Sequence, residues 1–241
     1  MLVFMKKKIL FIIVIFFANK KGITQNNTNF NHKIEYSTGI NFGTLKDLEI
    51  SPTSNFKYED IIYKLGYIRI TENEISFNLQ LNYLSTELKA NTSPELNMDY
   101  TQIGLNFSVL KQIYNKNYFQ INLGFESYSN ISVYAKNNNR KNVINQSFRI
   151  ASEFTYQINN KQKLFAKIVI PRILFRVSPS YKDVLVLNRY LSLLYDVGYE
   201  YSFSDNLNLN FSYEFNYNEL KLENDFKEVQ YQLNLGVHYM F

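Results

Sequence analysis

The sequence predicts an all-β protein, a closed antiparallel up-and-down barrel of about ten strands (8–12) that crosses a membrane with its strands. Three observations carry this. Apolar and polar residues alternate strictly over stretches longer than most soluble strands; an export-type segment opens the chain; and short connections alternate with longer ones. Of the 241 residues, 20 are Tyr, 20 are Phe and none is Trp. Gly (8) and Pro (4) are too few for a disordered low-complexity chain.

The first element is a targeting segment. Lys6, Lys7 and Lys8 precede an apolar run from Ile9 to Ala18, long enough for a signal-peptide core and too short for a membrane helix. A cut after Gly22-Ile23-Thr24 leaves 25–241 as a single barrel domain beginning at Gln25. Residues 1–24 carry five Lys and no acid, so removing them leaves 21 basic against 21 acidic residues. The basic pI belongs to the leader, and no nucleic-acid footprint is indicated on the folded part. With Cys at 0, no disulfide framework, thiolate metal site or Cys nucleophile is available.

The strands follow in order. Weaker alternation runs through 34–42, 61–67, 103–109, 119–125, 148–158 and 164–170. Stronger alternation runs from Ile75 to Tyr83, Leu191 to Phe203, Leu207 to Tyr217 and Tyr231 to Phe241. Side chains on a strand alternate between faces, so each stretch has one apolar and one polar side. The polar side is mostly Asn, Gln, Ser and Gly, which suits a crowded lumen better than a solvated exterior. In lipid every backbone group must be paired, so the sheet has to close and the last strand must pair with the first, around residues 32–44.

Short connections are expected at 71–74, 111–117, 159–161 and 204–206, and long external loops at 45–57, 86–98, 129–144, 172–187 and 218–227. Pro52, Pro94 and Pro179 fall in the long loops and Pro171 at a strand end, as a residue without a ladder donor should. Tyr67, Phe119, Tyr156, Phe203 and Tyr239 gather towards the short turns. Phe42, Tyr83, Phe125, Phe148 and Tyr217 gather towards the long loops, which gives two aromatic girdles.

Parity assigns charges of both signs to the lumen: Glu35, Lys64, Glu126, Arg149, Glu153, Lys167, Asp196, Glu200 and Glu214. Unpaired charges in a narrow interior are costly, so these are expected to pair across it and leave the lumen narrow or plugged. Asp196 and Glu200 could also be read as a carboxylate pair for acid/base chemistry. His32 and His238 differ in parity, so they should form neither a metal pair nor a base couple, and each is expected to be a lone interfacial or lumen-packing residue. No catalytic, metal or cofactor site is expected, because no phosphate loop, zinc signature, nucleophile elbow or calcium loop is present. The cationic stretch AKNNNRKN places Lys136, Arg140 and Lys141 in a proposed external loop, where they could meet lipopolysaccharide phosphates.

The leader, the amphipathic strands throughout and a last strand ending Tyr239-Met240-Phe241 make the chain resemble small outer-membrane β-barrel proteins, including OmpA-like and PorT-like barrels. The resemblance implies a Gram-negative outer membrane and contact with its lipid and lipopolysaccharide; the sequence leaves the oligomeric state open, with a monomer as the expectation. The resemblance also implies that Tyr239 and Phe241 are read by the barrel assembly machinery, whereas the anchoring role of longer OmpA-like proteins is not carried over. Such barrels serve many functions. A non-enzymatic structural or loop-mediated role is expected first, a small porin second, and an omptin-like protease or lipid A deacylase a distant third.

Overall fold

A computed structural model describes residues 32–48, 50–137, 139–177, 182–186, 189–220 and 226–241; the signal peptide expected at 1–24 and Pro179 lie outside these. The strands are β1 (His32–Asp47), β2 (Asn55–Ile70), β3 (Ile75–Ala90), β4 (Met98–Lys116), β5 (Phe119–Lys136) and β6 (Asn139–Asn159). Then come β7 (Gln162–Val177), the short β8 (Lys182–Val186), β9 (Tyr190–Ser202), β10 (Leu207–Leu220) and β11 (Phe226–Met240). Consecutive strands pair antiparallel except β8 and β9; β9 pairs instead with β7, and β11 pairs with β1 from Lys33↔Met240 to Asp47↔Phe226. The sheet is therefore a closed barrel of ten strands, with β8 a hairpin extension of β7.

Closure answers the edge problem posed by the amphipathic terminal strand. The last residue is drawn into the seam, since the Phe241 amide donates to the His32 carbonyl at 3.0 Å. Closure removes the long edges of the ten barrel strands, and the short β8, paired with β7 alone, keeps one five-residue edge.

The ten barrel strands run 13 to 21 residues, against the roughly 9–11 that a tilted strand needs to cross a bilayer. Much of the excess lies at the end opposite the termini, while β4 and β5 also run on at the terminal end, where residues 111–116, expected as a connection, are strand; both change the expected connections. Residues 129–136 and 139–144 are strand, with only 137 and 138 between β5 and β6. Alternation of short and long connections therefore fails at this hairpin. Its Asn, Lys and Arg residues read as a loop because they are polar, yet extended pairing continues past the lipid where polar side chains meet water. Asn137 and Asn117 each hold a positive φ (46° and 57°), a conformation that Asn tolerates and tight hairpins use.

Pro171 is also corrected, from a strand end to the interior of β7. It sits opposite Arg149 beside a bulge, and the β7–β9 ladder stops at Val169↔Leu194, two residues before it. A residue without an amide donor is tolerated where the ladder already breaks and β7 changes partner from β9 to β8.

The apolar phase inverts along the strands. In the half nearer the termini, Ile40, Leu65, Leu79, Leu105, Phe125, Phe211 and Leu235 face outward, with Phe125 as much as 74% exposed, and polar residues face inward. Towards the other end the buried residues become Leu45, Phe56, Leu84, Leu88, Tyr100, Tyr134, Val143, Leu174, Tyr190, Leu220 and Phe226. On β3 the switch falls between outward Tyr83 and inward Leu84, and beyond it Glu87 and Lys89 face outward. The outward apolar band is the lipid-facing surface of a membrane barrel, and the inverted part is built like a water-soluble one.

Candidate functional site

The lumen is the concave feature of this fold, and it has two storeys. The upper storey, at the loop end, is packed shut. Leu45, Phe56, Tyr58, Ile62, Leu84, Leu88, Tyr100, Tyr134, Val143, Leu174, Tyr190, Leu220 and Phe226 form one buried cluster, to which each of the ten barrel strands contributes at least one side chain. The rings of Tyr58, Tyr100 and Tyr134 run across it with centroids 5.8 and 5.1 Å apart. Gly43 faces this layer because a β-carbon there would collide with the Tyr58 ring.

One buried ion pair spans the plug. Arg176 Nη2 lies 2.8 Å from Asp47 Oδ2, and its guanidinium stacks 4.4 Å above the Phe226 ring. Below it Tyr58 donates to Glu228 at 3.0 Å, while Gln230 donates to Tyr58, Glu228 and Gln102 at 2.8, 3.0 and 3.4 Å. These amide and carboxylate groups form the polar floor of the plug.

Beneath that floor lies a polar chamber of about 250 Å³. All nine charges assigned to the lumen by parity line it: Glu35, Lys64, Glu126, Arg149, Glu153, Lys167, Asp196, Glu200 and Glu214. They are grouped by strand register. Lys64 reaches Glu214 at 2.8 Å; Glu126 is held by Arg149 at 3.3 Å and Lys167 at 2.7 Å. Glu153 stands opposite Lys167 on the neighbouring strand. Asp196 stands between Lys167 and Glu214, and its Oδ1 is buried with no hydrogen-bond partner among the described residues.

Nearest the termini, Glu200 is the hub of a second group. It accepts Lys163 at 2.7 Å and His238 Nδ1 at 2.7 Å, with Lys33 at 3.7 Å. Glu35 joins through Lys33 at 2.8 Å and His238 Nε2 at 3.6 Å. The expectation of a lone His238 is thereby corrected, because pairing of β1, β11, β10 and β9 brings a carboxylate to each of its ring nitrogens. Lys33, Lys163 and His238 were missed as members of this network. Asp47, Arg176 and Glu228 were missed in the plug, where the inverted apolar phase was the available signal. Asp196 and Glu200, four residues apart, do not form a carboxylate couple, since each is engaged in a different group.

His32 is separate from this interior, as parity requires. It hydrogen-bonds Tyr67 Oη at 2.7 Å and stacks between Tyr67 and Phe241, with centroids 6.0 and 5.6 Å away. Lys136, Arg140 and Lys141 do not share one loop surface. They flank the turn on paired strands, and alternation sends Arg140 to the outer face while Lys136 and Lys141 take the opposite parity.

Chemically, the chamber is a neutralised polar interior. His238 sits between carboxylates and the Asn210 amide at 3.5 Å, and none of these partners is a hydroxyl that it could activate. Among the described residues no group of three metal-ligating side chains comes together.

No family model and no curated protein matches this sequence. Solved structures do resemble its fold. The outer membrane protease OmpT from Escherichia coli is similar at a TM-score of 0.59 and 10% identity, over 91% of this chain and 99% of that one. The β domain of the Bordetella autotransporter BrkA matches at a TM-score of 0.49 and 9% identity, over 87% and 99%. Neisserial surface protein A matches at 0.41 and 13%, over 86% and 97%. At such identities the likeness speaks for fold alone. Closed antiparallel topology, an outward apolar band and a polar interior agree with it: this chain has the fold of the small outer-membrane β-barrel proteins.

Proposed function

We propose that the protein is an integral, non-enzymatic barrel of a Gram-negative outer membrane, with a structural or surface-mediated role and a lumen that does not conduct. The observation that carries this reading is the apolar cluster across the loop end, which draws on all ten barrel strands and leaves the chamber below blind. A passage for ions would need a continuous wetted path, and close-packed Leu, Phe and Tyr side chains offer none. Lipid and lipopolysaccharide are the partners such a surface would meet, and Tyr239 and Phe241 at the closing seam would serve recognition by the assembly machinery.

The enzyme reading has support from fold similarity to a protease alone. Both histidines of this sequence, His32 and His238, lie at the terminal end of the barrel, away from the loop-end rim where an external active site would be built. That arrangement favours a non-catalytic rim.

Planar-bilayer recording on refolded protein tests the reading. The native barrel, shown folded by different gel migration with and without boiling, is expected to be silent. Phe56→Ala/Leu88→Ala/Tyr100→Ala, which removes three large plug side chains, is expected to give current steps. Reproducible steps from the native barrel would replace this reading with the small porin.

A further inference from the structure

Resting on the outer-membrane reading above, we infer that the outer face of β11, β1, β2 and β3 carries a binding site for the phosphates of a lipid headgroup in the outer leaflet, built from Lys227, Lys46, Lys57 and Lys89. Register brings these four together. Lys227 stands directly opposite Lys46, and Lys57 directly opposite Lys89. Lys46 pairs with Asn55, so Lys57 is its diagonal neighbour on the same face. Directly opposed side chains have β-carbons about 4.5–5.5 Å apart and diagonal ones about 7–8 Å, so the four lysines follow one another in a zigzag across the face.

Like charges directly opposite each other destabilise a sheet, and here that happens twice in succession. Lysines often protect exposed sheet edges, but β11, β1, β2 and β3 each have a paired strand on both sides, with the β2–β3 ladder interrupted between Lys57↔Lys89 and Ile62↔Leu84. Neutralisation from within is incomplete. Glu219 faces Lys227, Glu59 follows Lys57 and Glu87 precedes Lys89 on the same face, and Asp99 stands opposite Glu87. Yet among the described residues Lys57, Lys89 and Lys227 form no ion pair, and Lys227 instead lies 5.3 Å from the Tyr217 ring.

Position selects the ligand. Lys46 is the first charged outward residue on β1 after Tyr36, Thr38, Ile40, Phe42 and Thr44. Four residues from Phe42 to Lys46 span about 13 Å along a strand, or about 10 Å of height at the usual tilt of about 40°. That is where phosphates lie, just outside the hydrocarbon core. The residues facing the barrel interior at this level are Leu45, Phe56, Leu88 and Phe226 of the plug, so the wall behind the patch is packed from within. A lipid A-type headgroup, with two phosphates on a disaccharide, presents two anionic groups to two lysine pairs.

Native mass spectrometry of the refolded protein, with bisphosphorylated or fully dephosphorylated lipid A added, tests the site. The native barrel should retain the bisphosphorylated lipid at least tenfold better. Lys46→Gln/Lys57→Gln/Lys89→Gln/Lys227→Gln should lose that preference by about tenfold or more, and the corresponding four Arg substitutions should keep it. Should the fourfold Gln variant not fold, Lys46→Gln/Lys227→Gln and Lys57→Gln/Lys89→Gln are compared separately, and each should weaken retention. Equal retention of both lipids by the native barrel, or undiminished retention by folded Gln variants, overturns the inference. A preference for the phosphorylated lipid that survives loss of these lysines assigns phosphate binding elsewhere, and overturns it equally.

Discussion

At the scale of single residues, the Asp47–Arg176 pair is the most demanding feature, because both partners are almost wholly buried at 2.8 Å in an apolar layer. Breaking a buried pair by removing one partner costs about 3–5 kcal/mol, whereas replacing both with apolar groups is often neutral. Arg176→Met alone should therefore lower stability by about 3–5 kcal/mol. Asp47→Leu/Arg176→Met should recover most of that loss. Urea titration, followed by the fraction of compact unboiled barrel on a gel, reads both. A single variant no weaker than the double would show that the pair contributes little. The same residues show where reading the sequence stopped. Parity placed all nine lumen charges on the chamber wall because each sits in or beside a clear alternating stretch. Asp47 and Arg176 lie 129 positions apart in what read as polar loops, and nothing local couples them. His238 illustrates the same limit: its parity was legible, but its contact with Glu200 depends on register across β1, β11, β10 and β9.

At the scale of elements, β11 both closes the barrel and ends the chain's pairing. Its register with β1 is continuous over fifteen residue pairs, and Phe241 extends the seam by a backbone hydrogen bond and a ring stacked on His32. A one-residue slip would turn Tyr231, Leu233, Leu235 and Val237 inward, so the terminal anchor also protects the register. Deleting Phe241, or substituting Asp for it, should sharply reduce the amount of folded barrel recovered from outer membranes. Unchanged recovery would remove the terminal aromatic from any part in assembly. Strand existence was legible here because period 2 persists over whole elements; strand ends were not. In β3 the apolar series Ile75, Phe77, Leu79, Leu81, Tyr83 stops, and Leu84 and Leu88 resume it one residue out of step. Read as a single phase, that step looks like a loop. Read as a change of solvent on the two faces, it marks the point where the barrel leaves lipid, and it recurs on β1 between Phe42 and Leu45 and on β10 between Tyr217 and Leu220.

At the scale of the whole molecule, the inversion makes one barrel from two solvents, lipid around the terminal half and water around the loop-end half. The absence of cysteine makes that division directly measurable, since any introduced thiol is unique. Single Cys substitutions for Leu79 and Leu105, which face outward within the apolar band, should resist a membrane-impermeant maleimide added to intact cells. Lys57→Cys and Lys89→Cys, outward but beyond the switch, should label readily. Leu88→Cys is the decisive position. It lies beside Lys89 in sequence and at the same height, yet its side chain is fully buried in the plug. Protection at residue 88 with labelling at 89 requires alternation to persist above the membrane around a dry interior, which neither a flexible loop nor a water-filled pore provides. Equal labelling at 88 and 89 would mean that the loop end is open or unpaired, and the blind chamber would be lost with it.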